Sequence, residues 1–309
     1  MLPRLGLSWA FRILGIIVFV VNLVCGNLLK DRNKAVGSRL KPFHLPLFRR
    51  PEFILFLGWG IFSMLGYVSL LFSLASFSLS VGLSSHQGSI VSALLNLGQG
   101  LGRPFVGMFS DRFGRINIAT VLSFLCGLFC LVIWIFARSM GVICFFAVLV
   151  GTVSGTYWAT VSPVLAEILG LKDLPSGLSI NWLILVPPTT VSEAIALVLR
   201  DNSAGHSAYL RVQLFTGFMY IGGALCLWVV RGWKVGEIAQ AEEGRSNSVS
   251  ANETSLTEKP PTGTCQSGNA EKDGAECKSA EHPLPSKTSS INPWAPFGLI
   301  RRMIAWKRV

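Results

Sequence analysis

Three polar side chains, Asn96, Gln99 and Arg103, recur at three- and four-residue spacing inside a long apolar stretch. On a helix that spacing puts them on one face. Polar groups in such a setting are costly and generally face a cavity or another helix. The alternative is interhelical hydrogen bonding by Asn96 and Gln99, with Arg103 snorkelling toward water. A second set follows at once: Gly107, Asp111, Arg112, Gly114 and Arg115. The spacing predicts a charged, glycine-punctuated turn whose Asp111 pairs with Arg112 or Arg115, or caps a helix N-terminus. Glu193, after the Pro187-Pro188 pair, is a candidate buried carboxyl, which would be paired or protonated. Its alternative is a helix-end carboxylate at the outer interface. Tyr157 and Trp158 are candidates to line a substrate path, or to pack between helices. Glu167, Asn181 and Trp182 are similarly ambiguous.

The elements that must position these groups are membrane-length helices. The chain has 309 residues, 51% hydrophobic and only 14% charged, against about 25% charged in ordinary soluble domains. A helix needs about 20 apolar residues to cross the hydrocarbon core. Candidate spans are 9–29, 53–77, 86–107, 116–137, 141–167, 177–199 and 210–231. Pro187-Pro188 predicts a kink or break within the sixth, since prolines are tolerated where neighbours re-satisfy the backbone. Gly98 and Gly102 share a face, as do Gly151, Gly155 and Ala159, and small residues at that spacing let helices approach closely.

Basic residues set the orientation. The segment 30–52 carries Lys30, Arg32, Lys34, Arg39, Lys41, Arg49 and Arg50, and the 103–115 turn carries three arginines. These alternate with loops that hold little charge, which predicts an N-terminus outside and a cytoplasmic C-terminus. The net charge of +11 therefore suits anionic leaflets and topology, not nucleic acid. Residues 240–291 are rich in Ser, Thr, Glu, Lys, Gly and Pro and are expected to be disordered. The end, 292–309, alternates Trp, Phe, Leu and Ile with Arg and Lys, as an amphipathic surface helix or a sticky disordered end would. Cys25, Cys126, Cys130, Cys144 and Cys226 lie in apolar segments as small hydrophobes, and no cysteine or histidine spacing suggests a metal. No nucleophile elbow or phosphate loop is present, so neither an enzyme nor a cofactor is expected.

The stretch Gly102-Arg103-Pro104 through Ser110-Asp111-Arg112-Phe113-Gly114-Arg115 resembles the loop motif of the major facilitator superfamily. Leu47–Phe53, Gly98–Pro104, Gly217-Phe218-Met219-Tyr220 and Trp233–Glu237 extend the resemblance to fungal monocarboxylate transporter-like members, over about residues 6–240. The resemblance implies an all-α polytopic membrane protein of about seven transmembrane helices, the sixth to twelfth of a twelve-helix fold. It places the last helix of the first half at 1–29, a basic central cytoplasmic loop at 30–52, the second six-helix bundle at 53–235 and a mostly disordered cytoplasmic tail at 236–309. In animal relatives an Arg-Pro pair on the eighth helix binds the substrate carboxylate, and Arg103-Pro104 occupies that place. An Asp one turn earlier serves proton coupling there, whereas this chain has Gln99, which cannot titrate. In that family the 107–115 motif is a latch between conformations.

The expected function is secondary transport of small organic carboxylates by alternating access, with an organic anion and protons as small-molecule partners and the bilayer as surroundings. The first five family helices are missing, which points to an N-terminally truncated carrier. The alternatives are a non-transporting fragment that pairs with or regulates a full-length relative, and a seven-helix receptor. The plasma membrane is the expected location, the vacuolar membrane the alternative.

Overall fold

The structure, a computed structural model, describes residues 2–28, 44–201, 208–257 and 303. They form α1 (Leu2–Leu28), a 3-10 turn (Leu45–Arg49), α2 (Pro51–Ser80), α3 (Ser85–Phe113), α4 (Arg115–Phe129), α5 (Met140–Ser154), α6 (Thr156–Leu169), α7 (Leu174–Leu199) and α8 (Leu210–Thr257). A π turn over Cys130–Trp134 prolongs α4. There is no strand among the described residues. Each boundary has a local cause. Ser84 and Gln87 close a capping box at the start of α3, with Gln87 N–H donating to Ser84 Oγ at 3.3 Å and Ser84 N–H to Gln87 Oε1 at 2.9 Å. Gly114 (φ +99°) separates α3 from α4, and Gly170 (φ +78°) ends α6, both in the region that favours glycine.

Six helical stretches are long and apolar enough to cross a membrane: Ser8–Leu28, Pro51–Ser80, Arg115–Trp134, Met140–Leu169, Leu174–Leu199 and Leu210–Val249. The expected span 86–107 does form a helix of full length but is not among the six, because its glycines and the Asn96, Gln99 and Arg103 face depress its hydropathy. The α5–α6 stretch crosses as one span, interrupted at Gly155. At Pro187-Pro188 the helix does not break. It runs through both prolines, and the Thr189 and Thr190 hydroxyls donate to the carbonyls of Leu185 and Val186 at 2.8–2.9 Å. A further difference lies at the end. Helix α8 continues to Thr257, past the boundary expected at 235, with side chains exposed over 241–249. The 292–309 segment lies outside the described residues, save Met303.

Helix α8 packs extensively on both α2 and α4, α3 lies equally closely on α5, and α7 lies on α2. Two apolar clusters fill the bundle. One, toward the Gly114 end, holds Phe53, Phe56, Trp59, Tyr157, Leu165 and Leu227. The other, toward the Ser80 end, holds Leu74, Phe77, Leu95, Trp134, Phe146 and Val212. Large apolar side chains such as Phe72, Phe105, Phe136, Phe145, Leu183, Val198 and Phe218 point outward. A soluble protein rarely exposes so much contiguous apolar surface, and a bilayer is the solvent that accepts it. The Ser8–Leu28 stretch of α1 is wholly unburied and shares no extensive interface with the other described helices.

Candidate functional site

The polar stripe divides once its helix is packed. Gly98 and Gly102 face the α5 backbone: a Cβ at Gly98 would lie 2.7 Å from Val148 O, and one at Gly102 would collide with Thr152. This close approach fixes the rotation of α3. Gln99 turns inward and is 4% exposed, and its Oε1 accepts a 2.9 Å hydrogen bond from Tyr67 Oη on α2. Its Nε2, also buried, has no hydrogen-bond partner among the described residues. Arg103, one turn on, is exposed but lies against Gly155, where the helix break between α5 and α6 leaves room for its side chain. No acidic side chain pairs with Arg103 among the described residues. Asn96 is exposed and spends its amide on the Ser92 carbonyl at 2.9 Å.

Beyond Gly155, Tyr157 is buried and exchanges hydrogen bonds with Asn181 on α7, at 3.1 Å to Oδ1 and 3.0 Å from Nδ2. Its ring lies 4.8 Å from that of Trp59, whose Nε1 donates to Ser123 Oγ at 3.2 Å. Trp158 is 39% exposed, stacks on Trp182 at 5.6 Å and meets the Tyr67 ring edge-on at 6.3 Å. Tyr67 thus joins Gln99 to the aromatic group. Nothing in the chain's periodicity marks Tyr67 for this, beyond a hydroxyl placed in mid-span. The structure brings Gln99, Arg103 and Trp158 to one side of the bundle, with Tyr157 behind them.

Glu193 does not join them, and it is not the buried carboxyl expected of its place in the apolar run. It is exposed and lines a separate small recess with Ser73, Ser76, Arg200 and Tyr209. In that recess the Arg200 guanidinium lies over the Tyr209 ring at 5.0 Å.

The charged motif also differs from the expected turn. Residues up to Phe113 belong to α3, and the chain reverses at Gly114 alone. Gly107 is helical with open space about it, so it does not serve tight backbone geometry. Asp111 therefore sits in the last turn of α3, where Arg115 Nε and Nη2 each donate to its Oδ1 at 3.3 Å. Arg115 also approaches Glu167 Oε1 at 3.8 Å across to α6. Lys234 on α8 donates to the Glu167 carbonyl at 2.8 Å and to Glu237 Oε2 at 2.7 Å. Together Ser110, Asp111, Gly114, Arg115, Glu167, Lys234 and Ile238 line an open recess of about 500 Å³. Three helix ends meet there against the middle of α8, and its two acidic side chains are balanced by two basic ones. Glu167 and Lys234 are legible one by one as charges, but Glu167 not as a partner of Arg115, nor its carbonyl as an acceptor for Lys234. Arg112 stays on the exposed side of α3. Among the described residues no cluster of His, Cys, Asp and Glu could hold a metal ion.

An outward apolar girdle, membrane-length helices and a polar face within the bundle define an integral, multi-pass membrane protein. Its residues 54–185 match the family model of the Major Facilitator Superfamily. Over 248 residues the chain is 31% identical to the probable transporter MCH2 of Saccharomyces cerevisiae, covering 78% of this chain and 52% of that protein. It is 31% identical over 239 residues to the uncharacterized transporter ESBP6 of the same yeast, covering 74% and 35%. It is 28% identical over 241 residues to the MFS transporter asaE of Aspergillus flavus, covering 75% and 52%. The chain spans about half the length of the curated relatives it matches, or less. No solved structure matches it.

Proposed function

We propose that this chain supplies the second-half helices of a secondary transporter that moves small organic carboxylates by alternating access, with no enzymatic step. The observation that carries the reading is the pairing of Arg103 with Gln99. A cation without an acidic partner among the described residues stands one turn from a buried amide donor that has no acceptor. A carboxylate satisfies both, and charge-assisted hydrogen bonds of this kind are the strong ones. Trp158 and Tyr67 offer apolar surface for the rest of such a ligand. Position 99 cannot titrate, so proton coupling, where it occurs, uses another group.

The recess about Asp111, Arg115 and Glu167 is assigned to gating. Its ion pairs join α3, α4 and α6, and helices that must slide against one another can make and break them. By the excess of basic residues, this end faces the cytoplasm. The plasma membrane is the assigned location, with the vacuolar membrane as the alternative that fractionation would reveal.

The test joins this chain to the first-half helices of a full-length relative and measures uptake of labelled carboxylates. Arg103→Ala should abolish uptake while leaving membrane insertion intact. Uptake unchanged by Arg103→Ala would remove the arginine from the substrate site. A second reading, a partner that regulates a full-length carrier, draws on the unpacked α1. Co-purification with a full-length relative supports it, and a monodisperse chain without one counts against it.

A further inference from the structure

We infer that the Gly114 end of the bundle holds a docking site for the chain's own C-terminal segment at Met303, and that occupancy of this site steadies the α3–α4 reversal. Met303 lies 72 residues beyond Arg231 in sequence, yet its carbonyl accepts a 2.6 Å hydrogen bond from Arg231 Nη1. The same carbonyl accepts a 2.9 Å bond from Trp228 Nε1, one turn earlier on α8. Arg231 is 7% exposed, and its Nε donates to Asn117 Oδ1 on α4. Asn117 is 5% exposed, and its Nδ2 donates to the carbonyl of Phe113 at 3.0 Å. Phe113 is the last residue of α3, directly before Gly114. A continuous run of hydrogen bonds thus leads from Met303 through Arg231 and Asn117 to the reversal that carries Arg115.

Physical chemistry gives this run its consequence. A guanidinium so deeply buried is costly unless acceptors surround it. Met303 supplies one of them, from a segment separated from α8 by a long stretch of chain. Loss of that carbonyl removes one of the acceptors of Arg231, and Asn117 is bonded to Arg231 on one side and to the end of α3 on the other. The C-terminal segment is therefore coupled to the gating recess without entering it. Both contacts to Met303 use its backbone, so the site selects for position of the segment and not for the methionine side chain. None of this depends on which solute the chain moves, or on whether it moves one.

Ser110 reports on the recess: it lines it and is 2% exposed, and a Ser110→Cys change is nearly isosteric. Membranes carrying the full chain with Ser110→Cys would be treated with a maleimide, and the labelling rate at position 110 read by peptide mass spectrometry, so that native cysteines do not enter. Trp228→Phe removes one donor and keeps an aromatic ring. A stop after Thr257 removes Met303. Each should speed labelling by about threefold to tenfold, the effect of losing one or two hydrogen bonds. Trp228→Phe should add nothing in the shortened chain. Labelling of the shortened chain within twofold of the full chain overturns the inference. So does an equal effect of Trp228→Phe in both backgrounds, which would assign it to the bundle itself. If the shortened chain fails to insert, Trp228→Phe in the full chain decides, and an unchanged rate there overturns it.

Discussion

The side chain of Arg103 runs against the backbone of Gly155 so closely that a Cβ at 155 would lie 3.3 Å from Nε and 3.5 Å from Cγ. Gly155 has φ −76°, an ordinary backbone conformation, so glycine is needed there for space and not for a left-handed turn. The arginine owes its place to that space. Gly155→Ala should push the guanidinium by a few tenths of an ångström, and Gly155→Leu should displace it outright. We expect Ala to raise the KM for carboxylate uptake about fivefold with the maximal rate largely kept, and Leu to approach the Arg103→Ala defect. A Gly155→Leu protein with an unchanged KM would separate the arginine from substrate binding.

Stability should be sensitive at Gly98. Its missing Cβ lets α3 lie on α5 with Val148 O only 2.7 Å from the position a Cβ would take. Gly98→Ala must push the α3 and α5 backbones away from each other, and backbones cannot rotate aside as side chains do. The expected cost is about 1–3 kcal/mol, the usual range for overpacking. Gly107→Ala, at an open position on the same helix, is the control, and should be neutral or slightly stabilising. Thermal unfolding of the purified chains in one detergent gives both values, and equal midpoints for the two would overturn the packing assignment.

Gly98 and Gly102 also show what the sequence makes legible. Their four-residue spacing marks a packing face without any knowledge of the partner helix, and the membrane-length runs mark the helices themselves. The polar stripe is legible as a stripe, but its division is not. Whether Gln99 or Asn96 turns inward depends on helix rotation, which the contact of Gly98 and Gly102 with α5 sets. The charged motif reads as a loop because Asp and Gly favour turns, yet it is helical to Phe113, since only Gly114 adopts a positive φ there. Glu193 misleads for a related reason: an apolar neighbourhood in sequence does not say which side of the helix a carboxylate takes. Partners far apart in the chain, Arg115 with Glu167 or Arg231 with Asn117, have no local signal at all.

The ion pair at the end of α3 should matter to movement more than to stability. Asp111 is exposed, and pairs of this type are worth about 0.2–1 kcal/mol. Asp111→Asn should therefore leave the unfolding midpoint nearly unchanged. It should alter the accessibility of cysteines placed along the recess, because Arg115 is then freer to move toward Glu167, 3.8 Å away. Identical cysteine labelling in Asp111→Asn and the parent would refute a gating role for the pair.

The Tyr157–Asn181 pair lends itself to a fuller test, because both partners are buried and each satisfies the other. Tyr157→Phe leaves the Asn181 amide without its phenol partner. Asn181→Leu leaves the Tyr157 hydroxyl facing apolar neighbours. An orphaned buried polar group costs about 1–3 kcal/mol, whereas removing both partners together can be nearly neutral. In membrane proteins such pairs couple by less than in the soluble case, about 0.6 kcal/mol on average, because the unfolded chain in lipid finds partners too. Here the pair bridges α6 and α7 directly behind Trp158 and Trp182, which stack on each other at 5.6 Å. Loss of the bridge should thus loosen the aromatic stack as well as the helices. The double variant is expected to be more stable than the sum of the single losses predicts, by about 0.5–1.5 kcal/mol. In both single variants the indole fluorescence should shift as Trp158 and Trp182 separate. Strict additivity of the two substitutions, with unchanged fluorescence, would mean that α6 and α7 are held by apolar packing alone.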